Sequence, residues 1–91
     1  MRETTIRVEV SARADWSRAQ AVKVLEEAAE AFTERERLER SVAANETPLD
    51  MEPLAEELAD TITAAVGLAV SWGIDVQKAL DAVAEKNRGR E

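Results

Sequence analysis

The sequence predicts an all-α protein: an antiparallel helical bundle completed by oligomerisation, with a short N-terminal strand or extended arm. Three observations carry that prediction. Alanine makes up much of the apolar fraction, and it favours helix while supplying little buried area per residue. Over long stretches apolar and charged residues sort onto different arcs of a 100° wheel. Capping and stopping residues stand where those stretches begin and end. The 91 residues form one domain, 1–91, and a chain this short buries only about 60–65% of its unfolded surface. Aromatic content is 3%, confined to Trp16, Phe32 and Trp72, so the core is thin unless a partner copy adds to it. Self-association as a homodimer or homotetramer is therefore expected.

Residues 1–14 read as the arm. Within it, 4–10 (TTIRVEV) alternates, with Ile6, Val8 and Val10 on one face and Arg7 and Glu9 on the other. A lone strand must pair with a copy in another subunit, lie against helices, or stay irregular. Asp15 is placed to cap a first helix over 15–42. Its wheel gathers Ala21, Val22, Val24, Leu25, Ala28, Ala29, Ala31 and Phe32 on one broad arc, opposite Lys23, Glu26, Glu27, Glu30 and Glu34. The mixed charges of 33–40 (TERERLER) read as a solvated helix end. A loop over 43–50 follows, with Thr47-Pro48 as punctuation and Asp50 as the next N-cap. The second helix spans 51–72, with Pro53 in its first turn, where the missing N–H costs nothing. Its latter part, 61–72 (TITAAVGLAVSW), carries no charge and is apolar nearly all round, which calls for burial on more than one face. Gly73 stops that helix. Asp75 caps a third over 75–87, with Ile74 as its staple and Val76, Ala79, Leu80 and Val83 facing inward.

Composition narrows the chemistry. There is no cysteine and no histidine, which excludes disulfides, thiolate zinc sites and nucleophile–histidine arrangements. Catalysis would fall to carboxylates, Lys, Arg or a bound metal. A net charge of −7 disfavours nucleic acid as a partner and suits a hard divalent cation. No run reaches the roughly 18 apolar residues of a membrane span and no signal peptide is visible, so a cytoplasmic protein without a membrane partner is expected.

Two acidic clusters stand out: Glu26, Glu27 and Glu30, then Glu57 and Asp60. Each holds two carboxylates at i and i+3, where like charges repel unless a cation joins them. Two such pairs on antiparallel helices would offer oxygen ligands of the kind magnesium takes. Glu57 lies at the margin of its apolar stripe, beside Leu54, Leu58, Thr61 and Leu68. Asp60 lies next to Ala64, and Glu27 borders Val24, Ala31 and Leu38. A carboxylate at such a margin is costly unless paired or metal-bound. A solvated acidic face is the alternative. The basic tail offers phosphate-holding groups in Lys86 and Arg90, or simply cations near a helix C-terminus.

The boxes EExxE (Glu26, Glu27, Glu30), ExxD (Glu57, Asp60) and KNxxR (Lys86, Asn87, Arg90), with 26 residues between the first two, resemble the MazG-like all-alpha NTP pyrophosphohydrolases. The strings KVLEEAAE (23–30), EELADTI (56–62) and EKNRGR (85–90) resemble short, phage-like members. The resemblance implies hydrolysis of a nucleoside triphosphate between its α and β phosphates, a nucleotide-pool house-cleaning activity. It implies magnesium, with manganese as a substitute, on Glu27, Glu30, Glu57 and Asp60. Glu26 and Glu27 would act on the attacking water, Lys86, Asn87 and Arg90 would hold the substrate, and Trp16 and Lys23 would border the nucleotide. A phosphoribosyl-nucleotide pyrophosphohydrolase of the histidine pathway shares EExxE and ExxD and is the second reading. A catalytically silent helical oligomer is a third. An EF-hand calcium protein is disfavoured, because that loop spacing is absent.

Overall fold

A computed structural model describes residues 2–10 and 18–90, in which three helices follow an extended arm. The helices are α1, Arg18–Ala43; α2, Glu52–Ser71; and α3, Val76–Arg90. The all-α reading stands. Residues 2–10 carry no regular secondary structure, so the strand read over 4–10 is not formed within this chain; the arm is irregular and lies against a helix. Ile6, Arg7 and Val8 meet Ala59, Ile62 and Thr63 of α2 around a cavity of about 200 Å³. Asp15 and Trp16 lie outside the described residues.

The turns are built as local chemistry dictates. Asn45, at φ 57°, ends α1, with its N–H donating to the Val42 carbonyl and the Glu46 N–H to Ser41. Gly73, at φ 69°, does the same for α2, with N–H groups of Gly73 and Ile74 donating to Val70 and Ala69. At the start of α2 the cap position falls on Met51, one residue later than expected. Asp50 still serves that end, its Oδ1 accepting the Glu52 N–H at 3.1 Å. Asp75 is a full N-cap, accepting the Lys78 N–H at 3.1 Å. α3 runs on to Arg90 rather than stopping at 87.

α1 and α2 pack as an antiparallel pair, and the seam is narrow. From α1 it takes Val24, Glu27, Ala31, Glu34 and Leu38; from α2 it takes Leu54, Glu57, Thr61, Ala64, Leu68 and Ser71. One neighbouring helix covers only one stripe of each cylinder. The broad apolar arc read for α1 is therefore split: Leu25 and Phe32 are 71% and 64% exposed within the chain. The uncharged end of α2 is fully buried at Ala64 and Ser71 and half-buried at Val66, Gly67, Leu68 and Ala69, with the arm lying on a second face, while Ile62, Val70 and Trp72 are open.

α3 departs furthest from expectation. It turns away from α2 with a bend of 116°, touches α2 and makes no packing contact with α1. Leu80 and Val83 stand outward, Ala79 is exposed and Ile74 does not staple; Val76, Ala84 and Asn87 are the half-covered positions. With the arm and α3 spread around a two-helix seam, the radius of gyration is 15.9 Å, against about 12 Å for a compact domain of this length. The accessible surface is 7544 Å², about 2,300 Å² more than a compact monomer of this mass exposes. Among the described residues no single helix is long and apolar enough to cross a membrane.

Candidate metal centre

The register of the α1–α2 pair decides what its carboxylates meet. In an antiparallel pair with equal rise, facing residues keep a constant sum of residue numbers. Arg37 donates from Nη2 to the Asp50 carbonyl at 3.2 Å, at the closed end of the hairpin. At the open end, the Gln20 side chain comes close to Gly67, where a Cβ would lie 3.3 Å from Gln20 Nε2. Both pairs sum to 87, and so do Glu27 with Asp60 and Glu30 with Glu57. The two acidic clusters are thus brought face to face between two fixed crossings.

Glu27, Glu57 and Asp60 each offer a carboxylate oxygen within 4.8 Å of the other two. Glu27 and Glu57 are half-buried at the seam margin, as their wheel positions imply, and Asp60 is exposed. Glu30, also exposed, completes the group by reaching the Glu57 carboxyl. The electrostatics follow from that crowding. Glu57 is pushed up from 4.5 to about 7, first by sharing a hydrogen bond with Glu30, then by burial and the charges of Glu30, Glu27 and Asp60. Glu27 is raised as well, chiefly by burial, with Glu30, Asp60 and Glu26 adding to it and Lys23 opposing. Glu26 is exposed and close enough to be felt electrostatically by Glu27.

Two oxygens, Glu27 Oε2 and Glu57 Oε2, are shielded from solvent and have no hydrogen-bond partner. A shielded, unpartnered carboxylate oxygen is expensive, and a divalent cation removes that cost for several at once. Hard oxygen donors at this separation suit magnesium or manganese and offer nothing to softer ions. The residues present fit a cation of that class.

The remaining expected residues are distributed less tightly. Lys23 sits one turn before Glu27 on α1. Lys86, Asn87 and Arg90 share one side of α3, now that the helix reaches Arg90, but α3 does not approach α1. This chain alone does not bring the basic box to its own carboxylates. Arg37 is the residue that motif reading left unassigned within TERERLER. It pairs with Glu34 at 2.7 Å and holds the Asp50 carbonyl, fixing the hairpin's closed end. Its numbering, 37 facing 50, was the available signal.

A family model described as phosphoribosyl-ATP pyrophosphohydrolase matches residues 4–87, nearly the whole chain. The chain belongs to the phosphoribosyl-ATP pyrophosphohydrolase family. The second of the sequence readings is the one named, and it is related to the MazG-like family that was read first. What the two readings share therefore stands: an all-α pyrophosphohydrolase, a hydrolase acting on acid anhydrides of nucleotide-like substrates. The phosphoribosyl-ATP pyrophosphohydrolase match includes both acidic boxes, Lys86 and Asn87, and ends short of Arg90. Comparison with curated proteins and with solved structures gives no match.

Proposed function

We propose that this protein is a magnesium-dependent pyrophosphohydrolase that cleaves nucleoside triphosphates, including deoxynucleotides, to the monophosphate and pyrophosphate. The observation that carries the reading is the convergence of Glu27, Glu57 and Asp60 within 4.8 Å, with two shielded oxygens lacking any partner. Glu27, Glu30, Glu57 and Asp60 would hold the cation. Magnesium there supplies neutralisation of phosphate charge and a lowered pKa for bound water. Glu27 contributes the unpartnered Oε2 at the seam, and Glu26 stands beside it on the solvent side, where it can accept a proton from a water directed at the α-phosphorus. Manganese fits the same donors.

Substrate phosphates need cations that the carboxylate face does not itself supply beyond Lys23. Lys86, Asn87 and Arg90 have the right chemistry, Lys as a point charge and Arg as a fork. Because α3 stands off α1, these groups serve a site through self-association, as a homodimer or homotetramer. The open surface supports that: an excess of about 2,300 Å² is what an obligate interface covers.

Phosphoribosyl-ATP is the second reading, favoured by the family match over 4–87. It carries a further phosphate on its extra ribose, which requires a cation set of its own. The KNxxR box of Lys86, Asn87 and Arg90 favours an ordinary nucleoside triphosphate. The test is pyrophosphate release from a panel of standard and modified nucleoside triphosphates and phosphoribosyl-ATP, with magnesium and with EDTA. Turnover of phosphoribosyl-ATP alone would replace the first reading with the second. No metal-dependent release from any of them would remove both.

A further inference from the structure

The metal centre makes no use of the arm. Residues 2–10 lie extended along α2, with Val8 and Val10 half-buried and Ile6 55% exposed. Arg7 and Glu9 point to solvent, their side chains 87% and 78% exposed, and pair with each other at 2.7 Å. No backbone hydrogen bond joins the arm to another described segment. Its N–H and C=O groups are left as an open edge, and an extended edge of this kind is a template for another strand.

The sequence of that edge is complementary to itself about Val8. Antiparallel pairing centred there sets Val8 against Val8, Ile6 against Val10 and Arg7 against Glu9. Apolar residues meet apolar ones and opposite charges meet, which are the favourable cross-strand combinations. A centre at residue 7 or 9 brings Arg7 against Arg7 or Glu9 against Glu9. A slip by one residue sends the apolar side chains to the wrong face. Only the centre at Val8 satisfies both face and charge. A two-fold axis is also what a self-complementary patch generates.

We propose that two copies of this chain join through their arms, which pair antiparallel about a two-fold axis at Val8. The occupant of the open edge is a second copy, because the edge is complementary to itself in both apolar and charged positions. In that arrangement the partner's Val10 stands opposite Ile6, over the cavity of about 200 Å³ that Ile6, Val8, Ala59, Ile62 and Thr63 help to line. The inference rests on the self-association proposed above and adds where one contact is made and in what register.

Disulfide trapping tests it, since the chain has no cysteine of its own. Val8→Cys is expected to give a disulfide-linked dimer under mild oxidation. Ile6→Cys is not, because its two copies would stand roughly 13 Å apart along the ribbon, beyond the reach of a disulfide. Equal trapping of both variants would overturn the register. The exposed pair gives the second arm of the test. In the Val8→Cys background, Arg7→Glu and Glu9→Arg each place like charges opposite one another and should slow trapping at least tenfold. An equimolar mixture of the two restores complementarity and should recover it as the mixed dimer. An Arg7–Glu9 pair acting only within its own chain predicts no such rescue, and that result would overturn the proposal. Light scattering separates the two readings: an oligomer without Val8→Cys trapping removes the arm contact and leaves self-association standing, whereas a monomer removes both.

Discussion

Glu57 gives the proposed metal centre a pH dependence whose direction follows from its surroundings. Its carboxyl, held near 7 by Glu30, burial and the surrounding carboxylates, keeps its proton at pH values where an ordinary glutamate is ionised. A cation must displace that proton in order to bind. Below about pH 7 the apparent magnesium affinity should therefore fall about tenfold per pH unit, and at pH 5.5 it should be about thirtyfold weaker than at pH 8. Calorimetric titration with magnesium in buffers of different ionisation enthalpy reads both the affinity and the proton released. Glu57→Gln removes the titrating group, so the variant should bind weakly and with most of that slope gone. Wild-type affinity that stays flat between pH 5.5 and 8 would refute the reasoning.

The same group sets a stability trend with the opposite sign from the usual carboxylate. In the metal-free folded chain Glu57 stays protonated up to about 7, whereas in the unfolded chain it loses its proton near 4.5. Between those values the folded state binds more protons, so metal-free stability should fall as pH rises through that window and level off above it. Glu27 is raised in the same sense and adds to the trend. Thermal midpoints in EDTA across pH 4.5 to 8 should therefore decline for the wild type and less for Glu57→Gln. Magnesium should reverse the decline at the upper end.

Asp60→Asn should abolish pyrophosphate release while leaving the helical circular dichroism unchanged, since Asp60 is exposed and its removal leaves no cavity; retained turnover would remove it from the metal shell. Val66→Glu, in the uncharged run of α2, should convert the oligomer to monomer or unfold it, as read by light scattering, and a normal oligomer would show the run is not an interface. Lys86→Ala should raise KM with magnesium affinity unchanged; a matching loss of metal affinity would place Lys86 in another role. Gly73→Ala meets no steric obstacle but must adopt φ near 69°, costing about 1–2 kcal/mol, and each kcal/mol lowers the melting midpoint by roughly 4–8 °C in a domain this size.

What the sequence made legible was local or periodic. The stop at Gly73 and the cap at Asp75 depend on a few consecutive residues, and both are formed as read. The marginal positions of Glu27 and Glu57 came from wheel geometry, and both are half-buried. The direction of α3 was not legible, because it depends on what covers Leu80 and Val83, and within one chain nothing does. The inward face assigned to α3 presumed a neighbour that this chain alone does not provide. Leu25 and Phe32 are exposed for the same reason: an apolar arc wider than one helix can cover says that a second surface exists, not which one.

The register of the hairpin was legible in principle, and it carries the site. Two acidic boxes pair face to face only if Glu27 meets Asp60 and Glu30 meets Glu57, and those two pairings demand the same sum of residue numbers. Like charges alone would drive the hairpin away from this alignment, so something must hold it there. The crossings at Arg37–Asp50 and Gln20–Gly67 are uncharged-acceptor and steric contacts, respectively, and neither depends on the carboxylates. They hold the alignment from both ends, and in the metal-free chain the proton that Glu57 keeps up to about 7 and shares with Glu30 relieves the repulsion in the middle. A hairpin that holds four carboxylates together by contacts made elsewhere is the arrangement on which the proposed metal site rests.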